Sequence, residues 1–457
     1  MTDGTRRIVG LYWLAVALSC LSAVYAVICA RDLIYDGSYY LLRTAEHARF
    51  QLVIPARALP QALQQCFAIL GERAGIRDLF ALARLMSLGM SGWPIVLTAA
   101  CWFVLPRAEK AWIVGPLFNL ALVIPTANLI GVDEGIIASC VLWLLFFVFT
   151  FRMQSIAGGV GALALTVACA FTHETAFPFM AGLSLIAAWR ARRTSGWERV
   201  ALIAIAIVGL AATLHLLSWV VFPRDPLERA GFLYSNLQFK FIGTALEPNL
   251  PFLASAAAIL ALTATWIQGR RGVASWPVWF AWIAFAFVVI SMVLHPDRMI
   301  APWRNFACRG FPVMFTTVAA LAILFLRSRA ISPARFATVP AAAILLGLML
   351  TQTVLQFAMT ERWQAFTNDL SHLVSERSGE ISFVESSRAL NPDATQFRGE
   401  LLMTWGVQPL SIVLAPGGQV RAVVQPGPKA QWHPYRLDGS GTFPQAPGLD
   451  WSHFGNP

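Results

Sequence analysis

The sequence is poor in charged residues. Only 13% of its 457 residues are Asp, Glu, Lys or Arg, whereas 57% are hydrophobic, and the mean hydropathy is +0.62. A soluble globular chain carries about 25% charged residues. The composition therefore excludes an ordinary soluble enzyme and predicts a polytopic membrane protein.

Acidic residues and cysteines are also few. The net charge is +10, but the basic residues fall in short loops between apolar runs, where they set the topology and meet anionic lipid. The charge therefore does not indicate nucleic-acid binding. The seven cysteines lie mostly inside apolar runs, which argues against a disulfide framework or a cysteine metal site. The first apolar run has no convincing small-residue cleavage site, so we expect it to remain as a helix.

Long apolar runs predict the fold class. Residues 8–30 carry no charge and are long enough to cross a hydrocarbon core of about 30 Å at about 1.5 Å per residue. With this first run, the sequence predicts an all-α polytopic membrane protein with about eleven transmembrane helices. The other runs lie near 79–105, 111–131, 135–151, 155–172, 175–189, 200–222, 249–267, 273–294, 308–326 and 336–358.

Two polar regions interrupt or follow the apolar runs. Residues 1–358 are predicted to form the transmembrane domain, with a long first outer loop at about 31–78. In that loop Leu59, Leu63, Phe67 and Leu70 recur at helical spacing, which predicts a helix lying in the membrane interface. Residues 359–457 are predicted to form a small extracytoplasmic α/β domain or tail, which begins with a helix. Its strand-like segments are 381–384, 410–414 and 420–424.

Basic residues occur in alternate loops and predict the orientation. By the positive-inside rule these loops are cytoplasmic, which places the N-terminus inside and the C-terminus outside a bacterial inner membrane. The residues concerned are Arg6, Arg7, Arg107, Lys110, Arg152, Arg190, Arg192, Arg193, Arg270, Arg271, Arg327, Arg329 and Arg335. The first outer loop contains several arginines, which contradicts the positive-inside rule. The rule applies less strictly to long loops such as this one.

Acids and histidines gather in the other set of loops. Each has a simpler explanation, since an aspartate can form a turn or cap a helix and an arginine can reach the membrane surface. Their convergence on one face nevertheless predicts a site there. The residues are Asp32, Asp36, Asp133, Glu134, His173, Glu174, His295, Arg298, Arg304 and Arg309.

The segment after the first apolar run carries a family resemblance. The motif Tyr35-Asp36-Gly37-Ser38-Tyr39-Tyr40, the long first loop and the short acidic loop Asp133-Glu134 resemble the GT-C class of membrane glycosyltransferases. That class includes protein O-mannosyltransferases and the lipid A aminoarabinose transferase. The resemblance covers roughly residues 8–180 as a pattern. It departs from the family at Asp36-Gly37, where the family has an Asp-Glu pair.

The resemblance implies a polyprenyl-phosphate-linked sugar as donor, transfer on the outer face and inversion at the anomeric carbon. A hydroxyl acceptor needs a base as its bond forms, and Asp36 is the candidate. The leaving phosphate is already ionised, so cations must offset its charge, and Arg298, Arg304 and Arg309 are the candidates. The remaining residues are assigned to sugar or acceptor binding, namely Tyr39, Tyr40, Asp133, Glu134, His173, Glu174 and His295. No cofactor is assigned, and dependence on a divalent metal stays open.

Two other classes of function remain. A transporter or lipid flippase would carry ionisable groups near the membrane centre, broken helices and an internal repeat. No repeat is evident in the sequence, and few charges lie at the centres of the runs. An O-antigen-type ligase or polymerase would place its site in a large later loop.

The expected partners are the lipid-linked sugar, a lipid or glycan acceptor and membrane lipid, with no nucleic acid.

Overall fold

The computed structural model describes residues 2–34, 36–47, 49–127, 134–222, 305–376, 381–383, 404–415 and 422–424. This part of the chain is almost entirely helical. The α-helices in chain order are α1 (Asp3–Ile28), α2 (Asp36–His47), α3 (Ala58–Arg73), α4 (Leu79–Val104), α5 (Val114–Phe118), α6 (Ile124–Ala127), α7 (Glu134–Phe151), α8 (Ile156–Cys169), α9 (Phe177–Ala191), α10 (Gly196–Val221), α11 (Asn305–Ser328), α12 (Val339–Glu376) and α13 (Thr404–Leu414).

Among the described helices, α1, α4, α7, α10 and α12 are long and apolar enough to cross a membrane. Helix α8 and the second part of α11 are apolar but shorter. A helical protein with several apolar helices of membrane-spanning length is therefore confirmed. The runs predicted at 249–267 and 273–294 lie outside the described residues, so the total of eleven spans stays a prediction.

Helix α7 lies at the centre of the bundle. It packs against α4, α8 and α11, and nearly all its side chains are buried, with Trp143, Leu142 and Phe147 among the most enclosed. A helix that is apolar on every side suits this position. Because α7 begins at Glu134, this carboxylate is held at one end of the bundle core.

The run predicted at 111–131 is described as far as residue 127, and this part is helical but irregular. A 3₁₀ segment (Arg107–Ile113) leads into α5, a π-helical turn (Asn119–Val123) and α6. Pro116 and Pro125 lie in this stretch, and a proline has no amide hydrogen to continue an α-helical ladder. One regular α-helix over this run is therefore not what the chain forms.

Arginines gather at one end of the bundle. The Arg7 side chain donates to the carbonyl of Ala337 (3.0 Å), and Arg152 donates to the carbonyl of Val104 (2.6 Å). Arg327 lies 3.9 Å from the carboxylate of Glu109. These contacts join five helix ends, namely the start of α1, the ends of α4, α7 and α11, and the start of α12. The membrane side that this basic end faces stays a prediction.

A second hydrophobic core lies at the opposite end. Leu41 of α2 and Leu33 pack there with Trp363 and Leu370 of α12, and the Trp363 indole donates to the carbonyl of Cys29 (3.1 Å). Helix α12 runs on for about 20 Å beyond Trp363 at about 1.5 Å per residue. The predicted domain boundary after residue 358 lies inside this continuous helix, and the division into domains stays a prediction.

The C-terminal region contains a pair of short strands, β1 (Ile381–Phe383) and β2 (Ala422–Val424). They are parallel, with Ile381 opposite Ala422. The strand predicted at 410–414 is wrong, because these residues belong to α13. A short apolar run does not distinguish a strand from a buried helix, and here Leu410 and Ile412 are buried in the second core.

Candidate active site at one end of the bundle

A buried turn follows α1. Ala30 has a φ of 46°, a left-handed conformation that costs about 1–2 kcal/mol for a residue other than glycine. The chain then forms a 3₁₀ turn over Arg31–Leu33, in which Arg31 and Asp32 are both buried. The Asp32 carboxylate accepts a hydrogen bond from the Ser91 hydroxyl of α4 (2.8 Å). Burial raises the pKa of Asp32, and the charge of Arg31 and the Ser91 bond act in the opposite direction.

Arg31 turns the other way, towards α12. Its Nη1 atom donates to Oε1 of Gln356 (2.6 Å) and to the hydroxyl of Thr360 (3.1 Å). Burial lowers the pKa of Arg31, and the charge of Asp32 opposes that shift. The turn therefore joins the end of α1 to α4 through the aspartate and to α12 through the arginine.

Helix α3 turns its glutamines inward. Gln61, Gln64 and Gln65 are buried, whereas the Leu70 side chain is 59% exposed. A β-carbon added at Gly89 would lie 2.2 Å from the backbone oxygen of Gln64, so α3 lies directly against α4. The predicted helix is present, and its amide groups face the other helices while Leu70 faces outward.

One polar network joins α2, α3 and α7. The Gln61 amide Nε2 lies 3.4 Å from Oε1 of Glu134 and 3.4 Å from the hydroxyl of Tyr40. All three side chains are buried. Tyr39 is half-buried beside them, with the Arg43 guanidinium 5.7 Å from its ring centre. A carboxylate at the N-terminus of α7 is also favoured by the helix dipole.

A second polar network joins the first loop to the loop after α8. The Arg57 Nε atom donates to Oε2 of Glu174 (2.9 Å), and Nη2 contacts the other carboxylate oxygen. The ring Nδ1 of His173 lies 3.6 Å from Oε2 of Glu174, and the Leu59 amide donates to the carbonyl of Phe171 (2.9 Å). Burial alone would raise the pKa of Glu174, but the charges of His173 and Arg57 and the Arg57 hydrogen bonds hold it well below its usual value.

The two networks are neighbours along the chain at the start of α3. Arg57 ends the 3₁₀ turn that precedes α3, and Gln61 lies in the first turn of α3. Tyr40 and Glu134 are thus in the first network, and His173 and Glu174 are in the second. Asp36 begins α2, and Arg309 lies on α11, but the side chains of both are outside the described part. Asp133, His295, Arg298 and Arg304 lie outside the described residues altogether.

Several residues of the site are not among the sequence candidates. Arg57 carries a signal that the sequence does contain, since arginines in the first loop contradict the positive-inside rule and so ask for another explanation. Gln61 belongs to a glutamine stripe that is visible at helical spacing. Gln356 also carries a signal, since Gln352, Gln356 and Thr360 recur at helical spacing. Ser91 carries no distinctive signal, because it is a small polar residue in an apolar run that also contains Ser87.

A cleft of about 50 Å³ lies beside the buried turn. It is bounded by α1, α4, the π-helical turn, α7 and α12, and its polar lining consists of Ser19, Ser22, Ser91, Thr353 and Gln356. Ser91 and Gln356 are the partners of Asp32 and Arg31. Within the described residues, no group of three or more His, Cys, Asp or Glu side chains is placed to hold a metal ion.

Comparison with solved structures gives a distant likeness. Neither the models of known protein families nor the curated proteins give a match. The chain is similar to the crystal structure of the Archaeoglobus fulgidus oligosaccharyltransferase in complex with zinc and sulfate, at 13% identity and a TM-score of 0.34. The match covers 89% of this chain and 62% of that one, so the chain spans less than two thirds of that protein. A TM-score of this size does not establish a shared fold or activity.

Proposed function

We propose that the chain is an integral membrane glycosyltransferase, which moves a sugar from a polyprenyl-phosphate donor to an acceptor hydroxyl. The observation that most supports this is the buried polar network at one end of the bundle. Gln61 of the first loop contacts Tyr40 of α2 and Glu134 of α7 there. Carboxylate, amide and phenol groups are hydrogen-bonding partners for sugar hydroxyls.

Asp36 is the proposed general base. It is the first residue of α2 and precedes Tyr40, a member of the first network, by one helical turn. The acceptor oxygen would bond to the anomeric carbon as its proton passes to Asp36. The bond between the anomeric carbon and the phosphate oxygen would break at the same time, and the phosphate would leave with the electron pair. One such displacement inverts the anomeric carbon.

The other candidates have supporting roles in this proposal. Tyr39, Tyr40, Asp133, Glu134 and His295 would bind sugar or acceptor hydroxyls. Arg298, Arg304 and Arg309 would offset the charge of the leaving phosphate.

The second network contains a closed ion pair, which leaves it less free to bind a substrate. Both carboxylate oxygens of Glu174 already contact Arg57, so His173 and Glu174 would act mainly by holding the first loop in place. The outer face of a bacterial inner membrane is the proposed location of the reaction.

The test is a mass comparison of envelope glycolipids and polysaccharides. Cells would carry the intact chain, Asp36→Asn, Asp78→Asn or no protein. Asp78 is a matched control, because it is an exposed aspartate near the end of the same first loop, where it caps α4. We expect a sugar-sized mass increment with the intact chain and with Asp78→Asn. The increment should be lost in Asp36→Asn when the variant is present in the membrane at the normal amount.

Two outcomes would change the proposal. If Asp36→Asn kept the full increment, the base would have to be another carboxylate, such as Asp133 or Glu134. If no glycan differed between any of the strains, the transferase proposal would fail. The hypothesis of a transporter or flippase would then be favoured.

A further inference from the structure

Only one of the three nitrogen atoms of the Arg31 guanidinium group donates hydrogen bonds within the described part of the chain. Its Nη1 atom donates to Gln356 and Thr360, but Nε and Nη2 are buried and have no hydrogen-bond partner in the described part of the chain. Buried donors without a partner are costly, and those on a charged group more so. A second group is therefore expected at this edge of the side chain.

The edge of the guanidinium group formed by Nε and Nη2 is suited to an anion with two oxygens. The N–H groups on Nε and Nη2 point in parallel, which is the arrangement that binds two oxygens of a carboxylate or phosphate at once. The neighbouring Asp32 contributes a negative charge but is turned to α4, where it accepts from Ser91. Arg31 thus has no two-point anionic partner within the described residues.

A cleft lies next to the side chains that hold Arg31 and Asp32. Ser91 stands on its α4 wall and Gln356 on its α12 wall, and these two side chains hold Asp32 and Arg31. The Gln356 amide is itself held, since its Nε2 atom donates to the carbonyl of Pro125 (2.5 Å). Much of the remaining lining is apolar, including Leu18, Ile95 and Met349. Arg31 itself does not line the cleft, and Gln356 joins the two. The apolar walls beside Gln356 suit the hydrocarbon chain of an amphiphile.

We propose that the Nε and Nη2 edge of Arg31 binds a phosphate group, with a lipid phosphate as the expected source. The expectation that a lipid supplies the phosphate rests on the proposed function, in which the donor carries a lipid phosphate. The existence of an anion site at Arg31 does not depend on that function. Arg31 would then be a phosphate-binding residue in addition to Arg298, Arg304 and Arg309. It differs from them in lying on the turn directly after α1.

The experiment measures binding to the purified full chain in dodecylmaltoside, a detergent without phosphate. Titration calorimetry would compare farnesyl phosphate, farnesol and inorganic phosphate as probes. The variants are Arg31→Lys, which keeps the charge but removes the two-point edge, and Arg84→Gln as a control. Arg84 is an exposed arginine at the same end, and it donates to the carbonyl of Ile28 (3.1 Å).

We expect Arg31→Lys to weaken farnesyl phosphate binding about tenfold or more, because a hydrogen bond to a charged group is lost. Arg84→Gln should leave the affinity within about twofold. Farnesol should bind equally to the intact chain and to Arg31→Lys. If Arg31→Lys does not fold, Gln356→Glu gives a second test, since it keeps Arg31 but adds a competing negative charge at Nη1.

The outcomes separate the site from its alternatives. If inorganic phosphate binds as tightly as farnesyl phosphate and with the same dependence on Arg31, the site is supported and free phosphate is its source. If Arg31→Lys lowers the unfolding temperature but leaves both phosphate affinities unchanged, Arg31 only joins α1 to α12 and the inference is overturned. Binding that depends on Arg31 without any sugar transfer in cells would refute the proposed function and leave the anion site standing.

Discussion

The ion pair between Arg57 and Glu174 offers the sharpest test of how the first loop is held. Only 8% of the Arg57 side chain and 18% of the Glu174 side chain are exposed, and both carboxylate oxygens contact the guanidinium. Removing one partner of a buried pair leaves the other charge uncompensated, which costs about 3–5 kcal/mol. We expect Glu174→Gln to cost about 3 kcal/mol, at the lower end because the carboxylate is not fully enclosed.

A second ion pair supplies the control. Arg190 and Glu198 are joined at 3.0 Å, but their side chains are 27% and 24% exposed. Pairs of this kind contribute about 0–1 kcal/mol, so Glu198→Gln should have a small effect. Both variants would be unfolded with dodecyl sulfate in mixed micelles and followed by circular dichroism. An equal loss of unfolding free energy in Glu174→Gln and Glu198→Gln would refute the reasoning.

The same pair predicts a dependence on pH. The folded-state pKa of Glu174 lies well below its usual value of 4.5, so the ionised form stabilises the fold. This contribution is fully present above about pH 4.5 and is lost as the pH falls towards the folded-state pKa. The stability difference between the intact chain and Glu174→Gln should therefore shrink below pH 4.5. A difference that stays constant down to pH 3 or grows would contradict the assigned pKa direction.

Two further predictions concern the backbone. Gly89→Ala should destabilise the fold by about 1–3 kcal/mol, because the new β-carbon would lie 2.2 Å from the Gln64 carbonyl oxygen; an unchanged unfolding curve would contradict the close packing of α3 on α4. Ala330→Gly should stabilise the fold by about 1 kcal/mol, because the exposed Ala330 has a φ of 54° at the end of α11. Ala17→Gly, at an exposed helical position of α1, should have the opposite sign, and equal signs in mixed-micelle unfolding would refute the argument.

The Ala330 prediction also follows from a comparison within the chain. Helix α3 ends with a hydrogen bond from the Ile76 amide to the Gly71 carbonyl (3.0 Å), and α11 ends with the equivalent bond from Ile331 to Leu326 (2.9 Å). Both ends place a left-handed residue before that amide donor. At α3 this residue is Gly75, with a φ of 91°, whereas at α11 it is Ala330.

The first loop is the part of the chain in which sequence and structure complement each other most. Its composition predicts an amphipathic helix, and α3 is present. Periodicity does not state which face turns inward, because that depends on the surroundings. In this chain Gln61 contacts Tyr40 of α2 and Glu134 of α7, and Gln65 contacts Thr44 of α2. The glutamines therefore pack inward together with Ala68 and Ile69, whereas Leu70 is exposed.

Sequence alone determined the helical class of this protein and the positions of most helices, because a long run without charge has few alternatives to a helix in lipid. It also predicted which residues gather at the ends of the runs. It did not predict the irregular stretch before α7, where a π-helical turn forms within an otherwise apolar run. It also assigned residues 410–414 to a strand, although they form part of α13.

Only the tertiary structure decided how the site is assembled. Arg31 meets Gln356, which is 325 positions away in the chain, and Arg57 meets Glu174 across 117 positions. No local pattern selects such partners, because hydrogen bonds and ion pairs depend on distance in space. The sequence could name Glu134 and Glu174 as candidates, since acids are rare in this chain. Their partners became visible only when packing brought α2, α3, α7 and the loop after α8 together.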